Sequence, residues 1–355
     1  MMETKVITCM ETDDMDCLAE AGEILKKGGL VAFPTETVYG LGGDAMNPSS
    51  SRKIYAAKGR PADNPLIVHI CRWEDIYQVV SGNISCRQAL VNAKKLADAF
   101  WPGPLTMILP KSPTIPYETT GGLDTVAVRF PSHKTALALI DRAGGFVAAP
   151  SANTSGKPSP TLAKHVLEDM NGRIDMVIDG GAVGIGLEST IVDLTVEPPE
   201  ILRPGFVTCK MLEEVLGSVE TDAAILEDAK GLAPKAPGMK YRHYAPKGEL
   251  TIVSGNRDKV ISYINSKIKE EKLQGRKTGV IGTVESVGKY CADVIKSAGS
   301  REDELSAAKR LYGILREFDE ENVEVMYSEA FAESGIGQAV MNRLLKAAGH
   351  HVVKL

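Results

Sequence analysis

The stretch from Leu30 to Asp44, Leu-Val-Ala-Phe-Pro-Thr-Glu-Thr-Val-Tyr-Gly-Leu-Gly-Gly-Asp, constrains the fold more than any other part of the chain. Its apolar start, Leu30-Val31-Ala32-Phe33, reads as a buried strand. It then breaks into hydroxyls, a carboxylate, an aromatic ring and glycines. A strand that ends in polar groups and glycines is how α/β proteins build a ligand site, because a rigid sheet then carries an open tip. Two later stretches repeat the idea. Lys58-Gly59-Arg60-Pro61-Ala62-Asp63-Asn64-Pro65-Leu66 is a basic loop stiffened by prolines, and Ala149-Pro150-Ser151-Ala152-Asn153 is a strand end rich in hydroxyl and amide donors. Together they point to an anionic, nucleotide-like ligand held without a standard phosphate loop, since no Walker A pattern is present.

Apolar spacing gives the surrounding elements. Helices are expected over residues 16–28, 49–57, 85–100, 134–143 and 161–170, and strands over 30–33, 66–70, 105–109, 125–130, 146–149, 176–179 and 190–194. Close succession of short strands implies a mixed sheet, so a mixed α/β domain is expected over residues 1–208. After a short helix at 210–216 the pattern changes. Ala233-Pro234-Lys235-Ala236-Pro237-Gly238-Met239-Lys240-Tyr241-Arg242-His243-Tyr244-Ala245-Pro246 has too many prolines for a helix or a central strand. Passive linkers are usually Gly/Ser-rich or repetitive. This one, assigned to residues 209–247, carries tyrosines, a histidine and basic residues close together, which suits contact with a partner or ligand. From residue 248 to 355 strands and helices alternate regularly, as in a small, mainly parallel, doubly wound sheet.

Composition narrows the class. The chain has 355 residues, is 43% hydrophobic and 25% charged, and carries a formal net charge of −5. Dedicated nucleic-acid binders are usually basic, so the global balance argues against that class while leaving room for a local basic groove. No signal peptide is expected from the polar start, and no run approaches the roughly 18 apolar residues of a membrane span. The scattered cysteines form no CxxC pair and read as reduced thiols of a cytoplasmic protein. No HExxH or Cys/His cluster suggests a protein-held metal.

Several residues admit two readings. Lys58-Gly59-Arg60 is either a basic helix end favoured by the helix dipole or a phosphate clamp combining a mobile point charge with a planar fork. Ser151-Ala152-Asn153 is either a turn or a set of ligand donors. Arg129 and Arg203 are either ion-pair residues or anion ligands, and His69 is either a core histidine or a site residue. Gly335-Ile336-Gly337 begins like a dinucleotide fingerprint, but it lacks the third glycine and is expected to start a helix. No nucleophile–base pair emerges from spacing. Hydroxyls, Lys, Arg and glycine-rich strand ends suit a site that works by positioning and charge stabilisation, as phosphoryl and nucleotidyl transfer do.

The ordered motifs FPTETVYGLG, KGRPADNPLIVHI, WPGPLT, DTVAVRFP, APSAN, ESTIVD, ILRPG and APGMKYRHYAP resemble those of the YrdC-like threonylcarbamoyl-AMP synthases in their long, two-domain form. The resemblance is dense from about residue 15 to 246. It implies a mixed-sheet YrdC-like catalytic domain followed by a small Rossmann-like doubly wound C-terminal domain. It also implies synthesis of L-threonylcarbamoyladenylate from L-threonine, bicarbonate and ATP, with release of pyrophosphate. The product would pass to a separate transferase that modifies tRNA, and tRNA contact by this chain is not required. Mg2+ is expected, held mostly by the phosphates. Carried over by position, Lys58 and Arg60 would be catalytic. Arg60, Asn64, Thr125, Ser151, Asn153, Ser159, Arg203, His243 and Tyr244 would bind ATP. Thr35, Thr37, His69, Arg129, Ala149 and Ser189 would bind threonine, and the linker would act as a lid. Two rival readings are an RNA-binding module using the same basic groove, and a carbamoyl-transfer accessory domain, whose usual zinc-type cysteine pattern is missing here.

Overall fold

A computed structural model of the chain describes residues 3–11, 15–83, 87–222, 225 and 243–355. These fall in two compact units. The second consists of Gly156–Pro158, Ile185–Leu187 and the residues from 243 onward, and the first of the rest.

In the first unit the strands are β1 (Lys5–Thr8), β2 (Val31–Phe33), β3 (Gly40–Asp44), β4 (Ile67–His69), β5 (Leu105–Pro110), β6 (Thr125–Arg129), β7 (Val147–Ala149), β8 (Met176–Asp179), β9 (Thr190–Asp193), β10 (Glu200–Arg203) and β11 (Glu220–Thr221). They form one sheet in the order β1-β8-β2-β3-β7-β4-β6-β5-β9-β10-β11. Parallel pairs such as β4–β6 and β5–β9 alternate with antiparallel ones such as β5–β6 and β4–β7, so the sheet is mixed. Helix Pro48–Lys58 begins where Asn47 accepts a hydrogen bond from Ser49 N, with Pro48 at its first position. It ends at Gly59, whose φ of 62° only glycine adopts cheaply. That stop leaves Lys58 and Arg60 at the ends of the central strands β7 and β4, where Lys58 meets the carbonyls of Ser151 and Asn153 and Arg60 those of Asn64 and Pro65.

The glycines after Phe33 were expected to form an open tip. Instead β3 turns back as a buried strand, antiparallel to both β2 and β7. The reason is steric. A Cβ on Gly42 would stand 2.9 Å from Val147 Cγ1 and 3.0 Å from Phe33 Cε1, so the glycine lets side chains from the two neighbouring strands close over one face of β3. Residues 209–222, assigned above to the linker, carry helix Cys209–Leu216, capped by Thr208, and β11, which extends the sheet beside β10. Cys9 and Cys17 are joined in a disulfide, whereas the sequence suggested only reduced thiols.

In the second unit β12 (Glu249–Ser254), β13 (Thr278–Gly282), β14 (Val294–Ser297), β15 (Val325–Glu329) and β16 (Val352–Lys354) pair in the order β14-β13-β15-β12-β16, all parallel. Helices Arg257–Leu273, Glu304–Glu320 and Gly335–Ala347 connect them. This is the doubly wound layout expected, with β14 added where Val294-Ile295-Lys296-Ser297 was not singled out as a strand. No helix among the described residues is long and apolar enough to cross a membrane.

Gly42→Val tests the packing account of β3. Overpacking of this kind costs about 1–3 kcal/mol, which should appear as a lower urea midpoint with an unchanged slope.

Candidate functional site

Register alone brings the polar residues together. His69 on β4 pairs with Arg129 on β6, Arg129 with Thr106 on β5, Thr106 with Ile191 on β9, and Ile191 with Arg203 on β10. Residues opposite one another on adjacent strands share a face, so His69, Arg129, Thr106 and Ile191 form one row across four strands, and Arg203 follows past a bulge in β10, bonded to Ser189. One pairing step along the same face lie Ile67, Ala127 and Ile108, which with Ile191 and Leu202 make a small separate hydrophobic cluster. Ala149 stands opposite Ile67, and Thr125 lies at the far end of β6. The face is therefore an apolar floor with polar groups at both ends. Four residues along β6 separate Arg129 from Thr125, about 13 Å at the usual strand rise.

At the His69 end, Arg129 is buried, and its Nη2 donates to Glu36 Oε1 at 2.7 Å. Two atoms of this pair, Arg129 Nε and Glu36 Oε2, are buried without a hydrogen-bond partner. Burying such atoms is costly unless something completes their bonding. Glu36 is flanked by Thr35 and Thr37, whose hydroxyl oxygens are 2.9 Å apart, and Thr35 also donates to Val38 O at 2.6 Å. Thr106 Oγ1 and Ser189 Oγ are 2.7 Å apart. Arg203 donates to Ser189 through Nε (3.0 Å, to the carbonyl) and Nη2 (3.1 Å, to Oγ). Arg203 was expected among the ATP ligands and Ser189 among the threonine ligands; the structure bonds the two together. Ser159 donates to Glu188 Oε1 at 2.5 Å.

At the other end, Lys58 is 2% exposed, and its ammonium donates to the carbonyls of Ser151 and Asn153. Oxygen partners offset the heavy cost of burying an ammonium. Ser151 Oγ donates to Asn153 Oδ1 at 2.5 Å. Arg60 grips the loop that follows, donating to Asn64 Oδ1 (2.6 Å), Asn64 O (3.2 Å) and Pro65 O (3.0 Å). Because β7 runs antiparallel to β4, Ser151 and Pro65 extend past the same end of the pair, which is also the Thr125 end of β6. Thus Arg60, Asn64, Ser151 and Thr125 gather at one end of the floor and His69, Arg129 and Ser189 at the other, while the loop of Thr35, Glu36 and Thr37, which leaves β2 beside Ser151, reaches Arg129 through Glu36. Sequence reasoning missed Glu36, Thr106 and Glu188. All three lie inside motifs it had singled out, and the signal for Glu36 was a carboxylate between two threonines beside an arginine-ended strand.

His243 and Tyr244 are described within the second unit. Tyr244 is buried, has a φ of 63°, and lies with its ring 5.1 Å from that of Tyr312 and 5.6 Å from that of His243. The preceding part of the linker motif, residues 233–242, lies outside the described residues.

Electrostatics set the state of His69. Burial first, and the Arg129 guanidinium second, push its imidazole down to about 3 from 6.5, against the opposing pull of the Ile67 and Val147 carbonyls. The ring is neutral at pH 7. Its Nδ1 is 3.1 Å from Ile67 O, so the single N–H points there and Nε2 is an acceptor.

The chain is similar to known proteins over both units. Residues 23–205 match the family described as "Telomere recombination" (Sua5, YciO and YrdC), and residues 207–349 match "Threonylcarbamoyl-AMP synthase, C-terminal domain". The threonylcarbamoyl-AMP synthase of Pyrococcus abyssi is 48% identical over 335 residues, covering 94% of this chain and 95% of its own. That of Bacillus subtilis is 45% identical over 360 residues, covering 99% and 100%. The crystal structure of P. abyssi Sua5 complexed with L-threonine superposes with a TM-score of 0.93 at 46% identity, covering 99% of this chain and 100% of that one.

Protonation of His69 is linked to stability. Its pKa is depressed on folding, so the unfolded chain takes the proton more readily. The stability it contributes is complete above pH 6.5 and is lost as the pH falls from there towards 3. The loss is up to about 1.4 kcal/mol per pH unit in that window. Urea unfolding of wild type and His69→Asn at pH 7, 6, 5 and 4 should show the wild-type stability falling more steeply; parallel curves would mean the ring is not held neutral by burial.

Proposed function

The chain belongs to the threonylcarbamoyl-AMP synthase family, and we propose from its own residues how the reaction is carried. It is a transferase of tRNA modification that makes L-threonylcarbamoyladenylate, the first step towards threonylcarbamoyladenosine. In our reading L-threonine and bicarbonate combine, with loss of water, to a carbamate on the threonine nitrogen. A carbamate oxygen attacks the α-phosphorus of ATP, the bond from that phosphorus to the bridging oxygen breaks, and pyrophosphate leaves.

The observation that carries the assignment of substrate ends is the incomplete Arg129–Glu36 pair. Arg129 is fixed by Glu36 through one nitrogen and has Nε unpartnered, which suits a second carboxylate, that of threonine. The unpartnered oxygen of Glu36 and the acceptor Nε2 of His69 suit the amino and hydroxyl donors of the same molecule. Neutral His69 adds no positive charge beside Arg129. Thr35, Thr37, Ser189 and the backbone at Ala149 complete this end. ATP then lies over the apolar floor with its phosphates towards Lys58 and Arg60, where charge grows as pyrophosphate departs. Asn64, Thr125, Ser151, Asn153, Ser159 and Arg203 support the nucleotide by hydrogen bonds. The carbamate is already anionic, so this chemistry asks for alignment and not for a nucleophile–base pair.

Mg2+ would neutralise phosphate charge in this reaction. Among the described residues no group of three His, Cys, Asp or Glu side chains is arranged to hold a metal, and the site's donors are hydroxyls, amides and cations. That donor set fits an ion carried mainly by phosphate oxygens and water. We place the enzyme in the cytoplasm, with its labile product handed to a separate transferase acting on tRNA.

Incubating the purified chain with ATP and Mg2+, and omitting threonine or bicarbonate in turn, should give pyrophosphate and a threonylcarbamoyl-adenylate mass only when both are present. A folded protein that binds RNA but yields no product would instead favour the RNA-binding reading. Arg60→Ala should lower turnover about 100- to 1,000-fold while far-UV circular dichroism stays unchanged, as expected for loss of a group that stabilises developing charge. Arg129→Gln should act differently, raising the KM for threonine about 10- to 100-fold with a smaller effect on the KM for ATP.

A further inference from the structure

From residue 248 onward the second unit is given no role in the chemistry above, yet it contains a built cavity. β13 passes the chain to β14 on one side, while its neighbour β15 passes it to β16 on the other, beyond β12. The crevice at the carboxyl ends of β13 and β15 is therefore the point where the winding reverses, and ligands of open parallel sheets sit at such points. Beside it opens a cavity of about 260 Å³, walled by the segments that follow β14 (Ser300, Arg301) and β15 (Ala330, Phe331, Ala332) and by helices Glu304–Glu320 and Gly335–Ala347.

Its walls are chemically divided. Arg301 stands on one side, tied to Glu329, the last residue of β15. Glu329 is 1% exposed and also accepts from Ser286 Oγ and from Tyr290 OH (2.9 Å), so the arginine is held by a buried, triply bonded carboxylate. Glu304 stands on another side. Its Oε2 accepts from Gly337 N at 2.8 Å, at the start of helix Gly335–Ala347. The remaining wall is apolar, from Ala307, Phe331, Ala332 and Val340.

This arrangement tells against the dinucleotide that Gly335-Ile336-Gly337 superficially suggests. The helix N–H that a pyrophosphate would use is already bonded to a carboxylate, which would repel phosphate. The cavity is also below the roughly 300–1,000 Å³ typical of larger ligands. What fits is a small molecule with one anionic group for Arg301, one cationic group for Glu304, and a short apolar body. We propose that this cavity binds a free L-amino acid with a small apolar side chain, its carboxylate on Arg301 and its ammonium on Glu304. The site is separate from the threonine end described above and does not depend on that assignment.

The test is isothermal titration of the full chain with L-valine, L-leucine and, separately, inorganic phosphate. It compares wild type, Arg301→Gln, Ala332→Phe and Arg129→Gln, each checked for folding by circular dichroism. The expected result is saturable binding of an amino acid to wild type and to Arg129→Gln. Affinity should be at least about tenfold weaker in Arg301→Gln and in Ala332→Phe. Ala332 is exposed, so its replacement fills the cavity without stranding a buried charge and keeps the test decisive if Arg301→Gln fails to fold. The proposal is overturned by no amino-acid binding up to about 10 mM. It is equally overturned by binding that ignores Ala332→Phe, by binding lost only in Arg129→Gln, which would report the threonine site, or by binding of phosphate alone.

Discussion

A buried arginine held by a partly buried glutamate fixes the geometry of the candidate site. Arg129 is a member of an in-register row that spans four strands, so its backbone position is set by the sheet; Glu36 then sets the direction of its guanidinium. Removing a charge from water costs several kcal/mol unless partners replace the lost solvation. That cost is met only in part within the chain, because Arg129 Nε and Glu36 Oε2 stay unpartnered. Such a pair is preorganised: rigid in place, and still deficient in hydrogen bonds. A ligand that supplies both a carboxylate and donors gains from that deficit, whereas one that supplies a single kind of group leaves half of it unmet.

The apolar floor explains how two differently charged substrates can be held over one sheet. Ile67, Ile108, Ala127, Ile191 and Leu202 carry no polar atoms on their side chains and sit between the two polar ends. Electrostatic groups separated by a low-dielectric strip act strongly on their own ends and are poorly screened by water. Lys58 and Arg60 belong to a loop fixed by Gly59 and two prolines, and Arg129 to a strand, so neither end has to reorganise during transfer. Preorganised charge of this kind is the main source of catalysis when the reacting groups are supplied by the substrates.

Much of this was legible in the sequence, for identifiable reasons. Strand ends with hydroxyls or arginines, a proline-stiffened basic loop and helical periodicity are local signals, and the elements built on them, such as β6 with Arg129 or helix Pro48–Lys58, stand close to where they were expected. The turn of β3 was hidden because glycines read as loop, while their use here is to let Val147 and Phe33 approach the backbone, a long-range packing fact. Glu36, Thr106 and Glu188 were overlooked because what marks each of them is a partner far along the chain: Arg129 for Glu36, Ser189 for Thr106, Ser159 for Glu188. The bond between Arg203 and Ser189 likewise crosses an assumed division between two ligand sets that spacing cannot test.

The second unit repeats the same physical device with different consequences. Arg301 is oriented by Glu329 as Arg129 is by Glu36, and in both cases the glutamate is the more deeply fixed or locally flanked partner. The difference lies in how complete the bonding is. Glu329 is saturated by Ser286, Tyr290 and Arg301, so the second pair needs no ligand to be stable, while the first has unpaired atoms on both residues. A saturated pair beside a cavity can take or release a small molecule without disturbing the fold, which suits occupancy that follows concentration. An unsaturated pair favours the bound state, which suits capture of a substrate. The same two residue types can thus stand with their bonding closed in one place and open in the other, and hydrogen-bond completeness decides how strongly such a pair draws in a ligand.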